Sequence, residues 1–170
     1  MSQFATQKSI TNILEKAHEK GKTIGLITGC FDILHIGHVK MFQFAASKAD
    51  LLVVGVEHDE TIKRAKGENR PINIYEHRLH ILAELRSIAH VFLNDEVYDY
   101  GSKAAEQVHQ SILRKISPDF VMTHPTKDVT LIQKRKQLAE MGIKLIEFKN
   151  SDNLSSSKLL DKIIRLENLN

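Results

Sequence analysis

The sequence lacks the features that mark secreted, membrane-spanning or nucleic-acid-wrapping proteins. Cys30 is the only cysteine among 170 residues, so no internal disulfide can form and a reducing compartment fits. The longest apolar run, Leu51 to Val56, is far shorter than the roughly 18 residues that a membrane span needs. The formal net charge is only +3, which suits a small anionic ligand and is too weak to indicate a partner such as DNA or RNA.

The overall composition is that of one soluble globular domain. Hydrophobic residues make up 42% of the chain and charged residues 26%, which excludes a disordered or collagen-like chain. No repeat or low-complexity tract interrupts it. The N-terminus shows no cationic segment followed by an apolar segment, so we expect a cytoplasmic protein that is not inserted in a membrane.

Short apolar runs alternate with helical patterns along the chain. Residues 1–22 are interpreted as a lead-in helix, with Ser9 as its N-cap and Gly21 as its C-terminal stop. The predicted strands are 23–28, 51–56, 91–93, 120–122 and 143–148, and the predicted helices between and after them are 37–47, 74–87, 103–116, 131–141 and 156–169. Near-continuous apolar strands separated by helices predict an α/β fold, a doubly wound, Rossmann-like sheet of five parallel strands in a single domain. The polar stretches 63–73 and 149–157 are interpreted as loops.

The turn after the first strand is the strongest candidate for a ligand site. In an open parallel sheet, ligands bind beyond the carboxyl ends of the strands. Gly29 permits a tight turn there, and Gly37 lets a ligand approach the start of the next helix, where free amides and the helix dipole attract anions. His35 and His38 flank Gly37, so both imidazoles can face one anion, and a triphosphate fits this arrangement. A zinc site formed by Cys30, His35 and His38 is the alternative, although it leaves Gly37 unexplained.

Two sequence motifs carry a resemblance to a known family. Gly29-Cys30-Phe31-Asp32 followed by His35-Ile36-Gly37-His38 resembles the signature of the cytidylyltransferase-like nucleotidyltransferases, which share a distant HIGH motif with class I aminoacyl-tRNA synthetases. The sequence is similar to the adenylyltransferase domain of the bacterial heptose 1-phosphate enzymes and, next, to glycerol 3-phosphate cytidylyltransferases. The resemblance implies that residues 23–170 form a nucleotidyltransferase domain. This domain would transfer a nucleotidyl group from an NTP to a phosphorylated sugar or alcohol and release pyrophosphate.

The resemblance also implies roles for basic residues beyond the second strand. Lys66-Gly67 with Arg70-Pro71 is similar to the motif of the heptose enzymes, so Lys66 is expected to contact phosphates and Arg70 the acceptor. Tyr75-Glu76-His77-Arg78 resembles a family segment whose arginine supports the active site. Arg78 is therefore expected either to reach the phosphates as a forked donor or to form a salt bridge with Glu76 or Glu84.

Two aspartates and a serine-rich helix start complete the expected site. Asp32 is expected to orient the acceptor or to touch a metal ion through water, and Asp59 either binds an acceptor hydroxyl or caps a helix. Leu154 to Leu159 resembles the family segment I-S-T-T-K-I, and its serines would hold the β and γ phosphates at the tip of the last helix. The expected nucleotide contacts are Thr28, Gly29, Cys30, Phe31, Gly37, Ser155, Ser156 and Ser157. The expected catalytic residues are His35, His38, Lys66 and Arg78.

The sequence departs from the family pattern in two places. The Gly- and Asp-rich element after the fourth strand is replaced by Thr123-His124-Pro125-Thr126-Lys127-Asp128, and the arginine usual upstream of the serines in cytidylyltransferases is missing. We therefore favour ATP over CTP as the donor. No dedicated metal cage is expected, because Mg²⁺ would be carried mainly by triphosphate oxygens. Similar enzymes often form homodimers.

Two other functions are compatible with these motifs. A nucleotide-binding module without turnover would follow if the altered loop at 123–128 had abolished catalysis. A truncated synthetase-like protein that handles tRNA would also contain the HIGH motif, but the sequence has no anticodon-binding region and no strong basic stripe.

Overall fold

A computed structural model describes residues 7–125, 128, 130–149 and 155–167, and within them the chain alternates helices and strands. The strands are β1 (Ile24–Gly29), β2 (Leu51–Glu57), β3 (His90–Asn94), β4 (Phe120–Thr123) and β5 (Lys144–Glu147). The helices are α1 (Gln7–Glu19), α2 (Ile36–Ala46), α3 (Asp59–Lys66), α4 (Tyr75–Ala83), α5 (Lys103–Ile116), α6 (Leu131–Glu140) and α7 (Ser156–Glu167). None of the described helices is long and apolar enough to cross a bilayer.

The five described strands form one parallel sheet in the order β3-β2-β1-β4-β5. The direction of strand order reverses beside β1, so the crevice between β1 and β4 lies at the switch point where ligands bind in such sheets. The predicted doubly wound, Rossmann-like fold in a single domain is confirmed. Gly25 lets β1 and β4 pair closely, because a Cβ at that position would lie 2.5 Å from the ring of Phe120.

The two faces of the sheet carry separate hydrophobic clusters. On one face, Ile10 and Leu14 of α1 and Ile112 of α5 are buried together. On the other face, Phe42 of α2 and Leu82 of α4 belong to the second cluster. Strands buried on both faces require apolar side chains throughout, which explains the near-continuous apolar runs. Because helices cover both faces of the sheet, a ligand can reach it only at an edge, and the polar residues lie at the carboxyl ends of the strands.

The structure corrects two local predictions and confirms a third. Ser9 lies inside α1, which already includes Gln7, so it is not the N-cap. The stretch 63–73 is not all loop, because α3 continues to Lys66 and a loop follows from Gly67. The signal for α3 is present in the sequence, with Asp59 and Glu60 in its first turn and cations in its last turn, an order that complements the helix dipole. The predicted stop at Gly21 is confirmed, since Gly21 adopts a φ of 66° just after α1.

Candidate active site

A cleft of about 380 Å³ opens at the carboxyl edge of the sheet, beside the switch point. The turn after β1, the start of α2, the end of α3, the segment after β4 and the tip of α7 all contribute to its wall. The predicted site residues in its lining are Thr28, Gly29, Cys30, Phe31, Asp32, His35, Gly37, His38, Lys66, Ser155, Ser156 and Ser157. Arg70, Arg78 and Asp59 are not among the described residues that line it.

The turn between β1 and α2 is shaped by contacts among its own residues. Phe31 adopts a φ of 46°, which is uncommon for a residue other than glycine, and its ring is buried against Gly29. A Cβ on Gly29 would lie 3.0 Å from that ring. The same ring packs edge-on against the ring of His38, with 5.5 Å between the ring centroids. It is tilted against the ring of Phe42, with 5.2 Å between the centroids. Phe31 therefore forms a wall that holds His38 in place at the start of α2.

The two histidines of the turn are stacked at the N-terminus of α2. Their ring centroids are 3.9 Å apart. His35 is the N-cap of the helix, and its Nδ1 accepts a hydrogen bond from the amide of Gly37 at 3.2 Å. Because Nδ1 accepts, a neutral His35 carries its proton on Nε2 and can donate from that atom. The pair thus combines a donor with the positive end of a helix dipole, as an anion site requires.

The last helix meets this turn directly. Ser156, the first residue of α7, donates from its hydroxyl to the carbonyl of Ile33 at 2.8 Å. Ser155 lies just before the helix, and its hydroxyl accepts from the amide of Lys158 at 3.2 Å. The prediction that the serine-bearing tip and the histidine turn face one cleft therefore agrees with the geometry. Residues 150–154, which include the expected Leu154, lie outside the described residues.

Arg78 does not line the cleft and instead bonds the backbone of segments that do. The residue is 1% exposed. Its Nε donates to the carbonyl of Asn73 at 2.9 Å, Nη1 to the carbonyl of Cys30 at 2.5 Å, and Nη2 to the carbonyl of Glu57 at 2.7 Å and to Asp59 Oδ1 at 2.6 Å. All three nitrogens have partners within the protein, which contradicts direct contact with phosphates. The alternative salt bridge with Glu76 or Glu84 is also wrong, because the ion-pair partner is Asp59.

The two aspartates are likewise engaged with the protein. Asp32 is 3% exposed, and its Oδ1 accepts from the amides of Ile72 and Asn73, both at 2.9 Å. Its Oδ2 forms an ion pair with Arg70, whose Nε and Nη2 lie 2.7 and 2.6 Å away. This pairing holds the loop after α3 against the turn after β1. Asp59 is not a helix cap, since His58 is the N-cap of α3 and its Nδ1 accepts from the amide of Glu60.

The segment that replaces the family's glycine-rich element is organised around Asp128. Its Oδ2 accepts from the hydroxyl of Thr123 at 2.6 Å and pairs with Lys134 Nζ, and its Oδ1 accepts from the amide and hydroxyl of Thr130. Lys134 and these hydrogen bonds outweigh burial and lower the pKa of Asp128 to about 2. Thr123, Asp128, Thr130 and Lys134 all line the cleft, and sequence reasoning assigned no role to Lys134.

Sequence reasoning also missed a cluster of buried polar side chains at the foot of the cleft, the part lined by Glu57, Tyr100 and His109. Tyr98 donates its hydroxyl proton to Glu57 Oε2 at 2.5 Å and lies 3.0 Å from His109 Nε2, and Asn94 Nδ2 is 3.2 Å from the same carboxylate oxygen. Burial raises the pKa of Glu57 and lowers the pKa of His109 to about 4. Tyr100 completes this side, with its hydroxyl 3.5 Å from Cys30 Sγ. A glutamate at the end of an apolar strand was the available signal.

The zinc alternative finds no support in this arrangement. Cys30 Sγ contacts Tyr100, and His35 Nδ1 is taken by the amide of Gly37. No group of three or more His, Cys, Asp and Glu side chains that could hold a metal ion occurs in the part of the chain that the structure describes.

Comparisons with known proteins agree with the fold and the motifs. The family model described as cytidylyltransferase-like matches residues 26–162. The bifunctional protein HldE of Geobacter metallireducens is 35% identical over 159 residues, which cover 92% of this chain and 30% of that protein. HldE of Citrifermentans bemidjiense is 32% identical over 157 residues, which cover 91% of this chain and 30% of that protein. The chain thus spans less than a third of the length of these curated relatives.

Solved structures show the same architecture. A lipopolysaccharide core biosynthesis protein from Thermoplasma volcanium superimposes with a TM-score of 0.61 at 25% identity, covering 78% of this chain and all of that one. Pantothenate synthetase from Thermus thermophilus superimposes with a TM-score of 0.67 over 92% of this chain and 66% of that one. At 15% identity, the second likeness concerns the fold alone.

Proposed function

The chain belongs to the cytidylyltransferase-like family of nucleotidyltransferases, and from this premise we propose that it transfers a nucleotidyl group from an NTP to a phosphorylated sugar or alcohol. Pyrophosphate is the second product. ATP is favoured over CTP, because the relatives that match over most of this chain are HldE proteins and the arginine typical of cytidylyltransferases is missing. The observation that carries the proposal is the meeting of the histidine turn with the serine-bearing tip of α7 across one cleft.

The chemistry needs no nucleophile from the protein. A phosphate oxygen of the acceptor forms a bond to the α-phosphorus of the NTP, and the bond from that phosphorus to the bridging oxygen breaks. The bridging oxygen keeps the electron pair and leaves with pyrophosphate. Negative charge builds up on the equatorial oxygens and on the leaving group, so catalysis depends on position and on donors aimed at those oxygens.

The residues in the cleft fit these requirements. We assign His35 Nε2 and His38 to the α-phosphate region at the start of α2, and Ser155 and Ser157 to the β and γ phosphates at the tip of α7. Ser156 anchors that tip to the turn through Ile33. Lys66 is exposed at the end of α3 and contributes to the cleft lining. From there its flexible side chain can bind a phosphate of either substrate.

Members of the family generally use a divalent metal ion with the NTP, and we propose Mg²⁺ here. The carboxylates of Asp32 and Asp128 do not fit the role of direct metal ligands, because in each the two oxygens already accept hydrogen bonds or pair with a cation. The triphosphate oxygens would therefore hold most of the ion, which neutralises charge on the leaving group.

Other parts of the proposal follow from the substrates and from the resemblance. A reaction that consumes NTP and a phosphorylated sugar or alcohol belongs in the cytoplasm. It needs no nucleic acid and no membrane partner. A homodimer remains a prediction.

The direct test measures pyrophosphate release with each pair drawn from ATP, CTP, GTP and UTP and from aldose 1-phosphates and glycerol 3-phosphate. We expect release with ATP and at least one acceptor. His38→Ala should lower kcat by about 100-fold or more while leaving the unfolding midpoint unchanged, since its ring acts on developing charge. His77→Ala, at a position on α4 outside the cleft lining, is the matched control. NTP binding without release from any pair would indicate a nucleotide-binding module.

A further inference from the structure

The foot of the cleft differs in chemistry from the side that faces the helix tips. Toward α2 and α7, the lining offers amides, hydroxyls and imidazoles for an anion. Toward β2 and α5, it contains Glu57, His109 and Tyr100, which lie together with the Asp128–Lys134 ion pair. A triphosphate offers acceptor oxygens and no donors at neutral pH, so a side lined by further acceptor atoms suits another part of the reaction partners.

The hydrogen bonds among the buried groups fix their roles. Tyr98 has one hydroxyl proton and donates it to Glu57 Oε2, so its oxygen accepts from Asn94 Nδ2 at 3.1 Å and, in the tautomer protonated at Nε2, from His109 at 3.0 Å. Burial and the nearby charge of Lys134 lower the pKa of His109 to about 4, so the ring is neutral at physiological pH and its Nδ1 is an acceptor. Asn94 Nδ2 also donates toward Glu57 Oε2.

Two acceptor atoms thereby remain, one on each of two residues that line the foot of the cleft. Among the described residues, none donates to Glu57 Oε1 and none to His109 Nδ1. Glu57 is 2% exposed and yet contributes to the cleft lining. A ligand hydroxyl that donates to these atoms replaces their contact with water, and an analogue that lacks the hydroxyl leaves an acceptor unpaired in the complex.

We propose that Glu57 and His109 accept hydrogen bonds from hydroxyl groups of the phosphorylated acceptor and so select polyhydroxylated acceptors. This inference rests on the proposed nucleotidyl transfer and deepens it. The acceptor is placed with its hydroxyls at the foot of the cleft and its phosphate toward His35 and His38. Tyr98, which does not line the cleft, is a positioning residue that holds both acceptor groups.

The side chain at position 57 offers a sharp test. In Glu57→Gln, the carbonyl oxygen keeps the hydrogen bonds from Tyr98 and Asn94, and the amide nitrogen replaces Oε1, so an acceptor in the cleft becomes a donor. His109→Phe keeps an aromatic ring at this position and removes both nitrogens, Nδ1 and the Nε2 that contacts Tyr98, and it serves as the second variant. Glu60→Gln, an exposed position in the first turn of α3, is the matched control.

The readout is the ratio of kcat/KM for the best acceptor of the panel to kcat/KM for its deoxy analogues, at neutral to mildly alkaline pH. We expect a ratio of about 10 or more in the wild type, the range for a hydrogen bond to a charged group. The ratio should fall toward one in Glu57→Gln and His109→Phe, with KM for ATP unchanged. A purely structural role would lower both kcat/KM values together and leave the ratio intact.

The outcomes separate the inference from the proposed function. If the wild type and both variants show the same ratio, Glu57 and His109 do not read hydroxyl groups, and nucleotidyl transfer still stands. If the wild type releases no pyrophosphate with any pair, the proposed function is wrong and the inference fails with it. Urea denaturation of each variant checks that the comparison is made between folded proteins.

Discussion

Replacing Arg78 with leucine should lower the free energy of unfolding more than any single substitution in the cleft lining. The guanidinium bonds the carbonyls of Cys30, Glu57 and Asn73 and the carboxylate of Asp59, and its side chain is fully buried. Those groups come from the turn after β1, the end of β2, the first residue of α3 and the loop before α4, so one side chain ties four parts of the chain together.

The magnitude follows from what the substitution leaves behind. Breaking a buried charge pair costs about 3–5 kcal/mol, because the remaining partners lose their hydrogen bonds. Since Asp59 is partly solvated and can recover some hydration, we take the lower half of that range, about 3–4 kcal/mol, as the expected loss in the free energy of unfolding. For a chain of this size, this corresponds to a fall in Tm of about 6–16 °C.

Urea denaturation followed by circular dichroism measures this loss. Arg86→Leu, an exposed arginine that follows α4, is the control and should stay within about 0.5 kcal/mol of the wild type. Asp59→Asn separates the ion pair from the three carbonyl contacts and should cost less than Arg78→Leu. A loss below about 1 kcal/mol in Arg78→Leu would refute the reasoning, since it would mean that the four partners are satisfied without the guanidinium.

Two further predictions concern the cleft. Lys66→Ala should lower kcat/KM by about tenfold or more with little change in Tm, because the side chain is exposed and, in the proposed site, contacts substrate phosphates. Lys63→Ala, which breaks an ion pair with Glu68, is the control. A loss of stability without a loss of rate would make Lys66 structural. The pKa of His109 is about 4 in the folded state and 6.5 ordinarily, so the unfolded chain binds more protons between these two pH values. The contribution of His109 to the free energy of unfolding is therefore complete above pH 6.5. It is lost as the pH falls toward 4, at up to about 1.4 kcal/mol per pH unit. His109→Phe should flatten that part of the pH profile in urea denaturation, and an unchanged slope would contradict the assignment.

Local sequence patterns predicted the elements of the fold well. The predicted helix at 103–116 coincides with α5, and the predicted strands overlap β1 to β5 with ends that differ by at most one residue. The alternation of apolar strands and helices is local and repeated, which is why the strand-helix pattern could be interpreted without tertiary information. The helix α3 was missed because an exposed charged helix and a charged loop have similar compositions. Its acidic first turn and basic last turn were the available signal in the sequence, and the burial of Thr61 and Ile62 is visible only in the structure.

The site was predicted where its residues are close in sequence. Gly29, His35 and His38 lie within one turn, so their spacing predicted an anion site, and the structure places all three residues in the cleft lining. Roles that depend on distant partners could not be assigned in the same way. The spacing around Arg78 suggested Glu76 or Glu84 as its partner, and the carbonyls that it bonds lie up to 48 residues away.

The sequence by itself determined the strands, the described helices other than α3, the histidine turn after β1 and the serine-bearing start of α7, because each depends on neighbours within a few positions. Only the tertiary structure decided that the turn and the start of α7 meet through Ser156, that Asp32 and Arg70 hold a loop in place, and that Glu57 and His109 share one buried tyrosine. The physical reason is that hydrogen bonds join atoms that are close in space. The parallel sheet brings together residues from the segments that follow its five strands, which are far apart in the sequence.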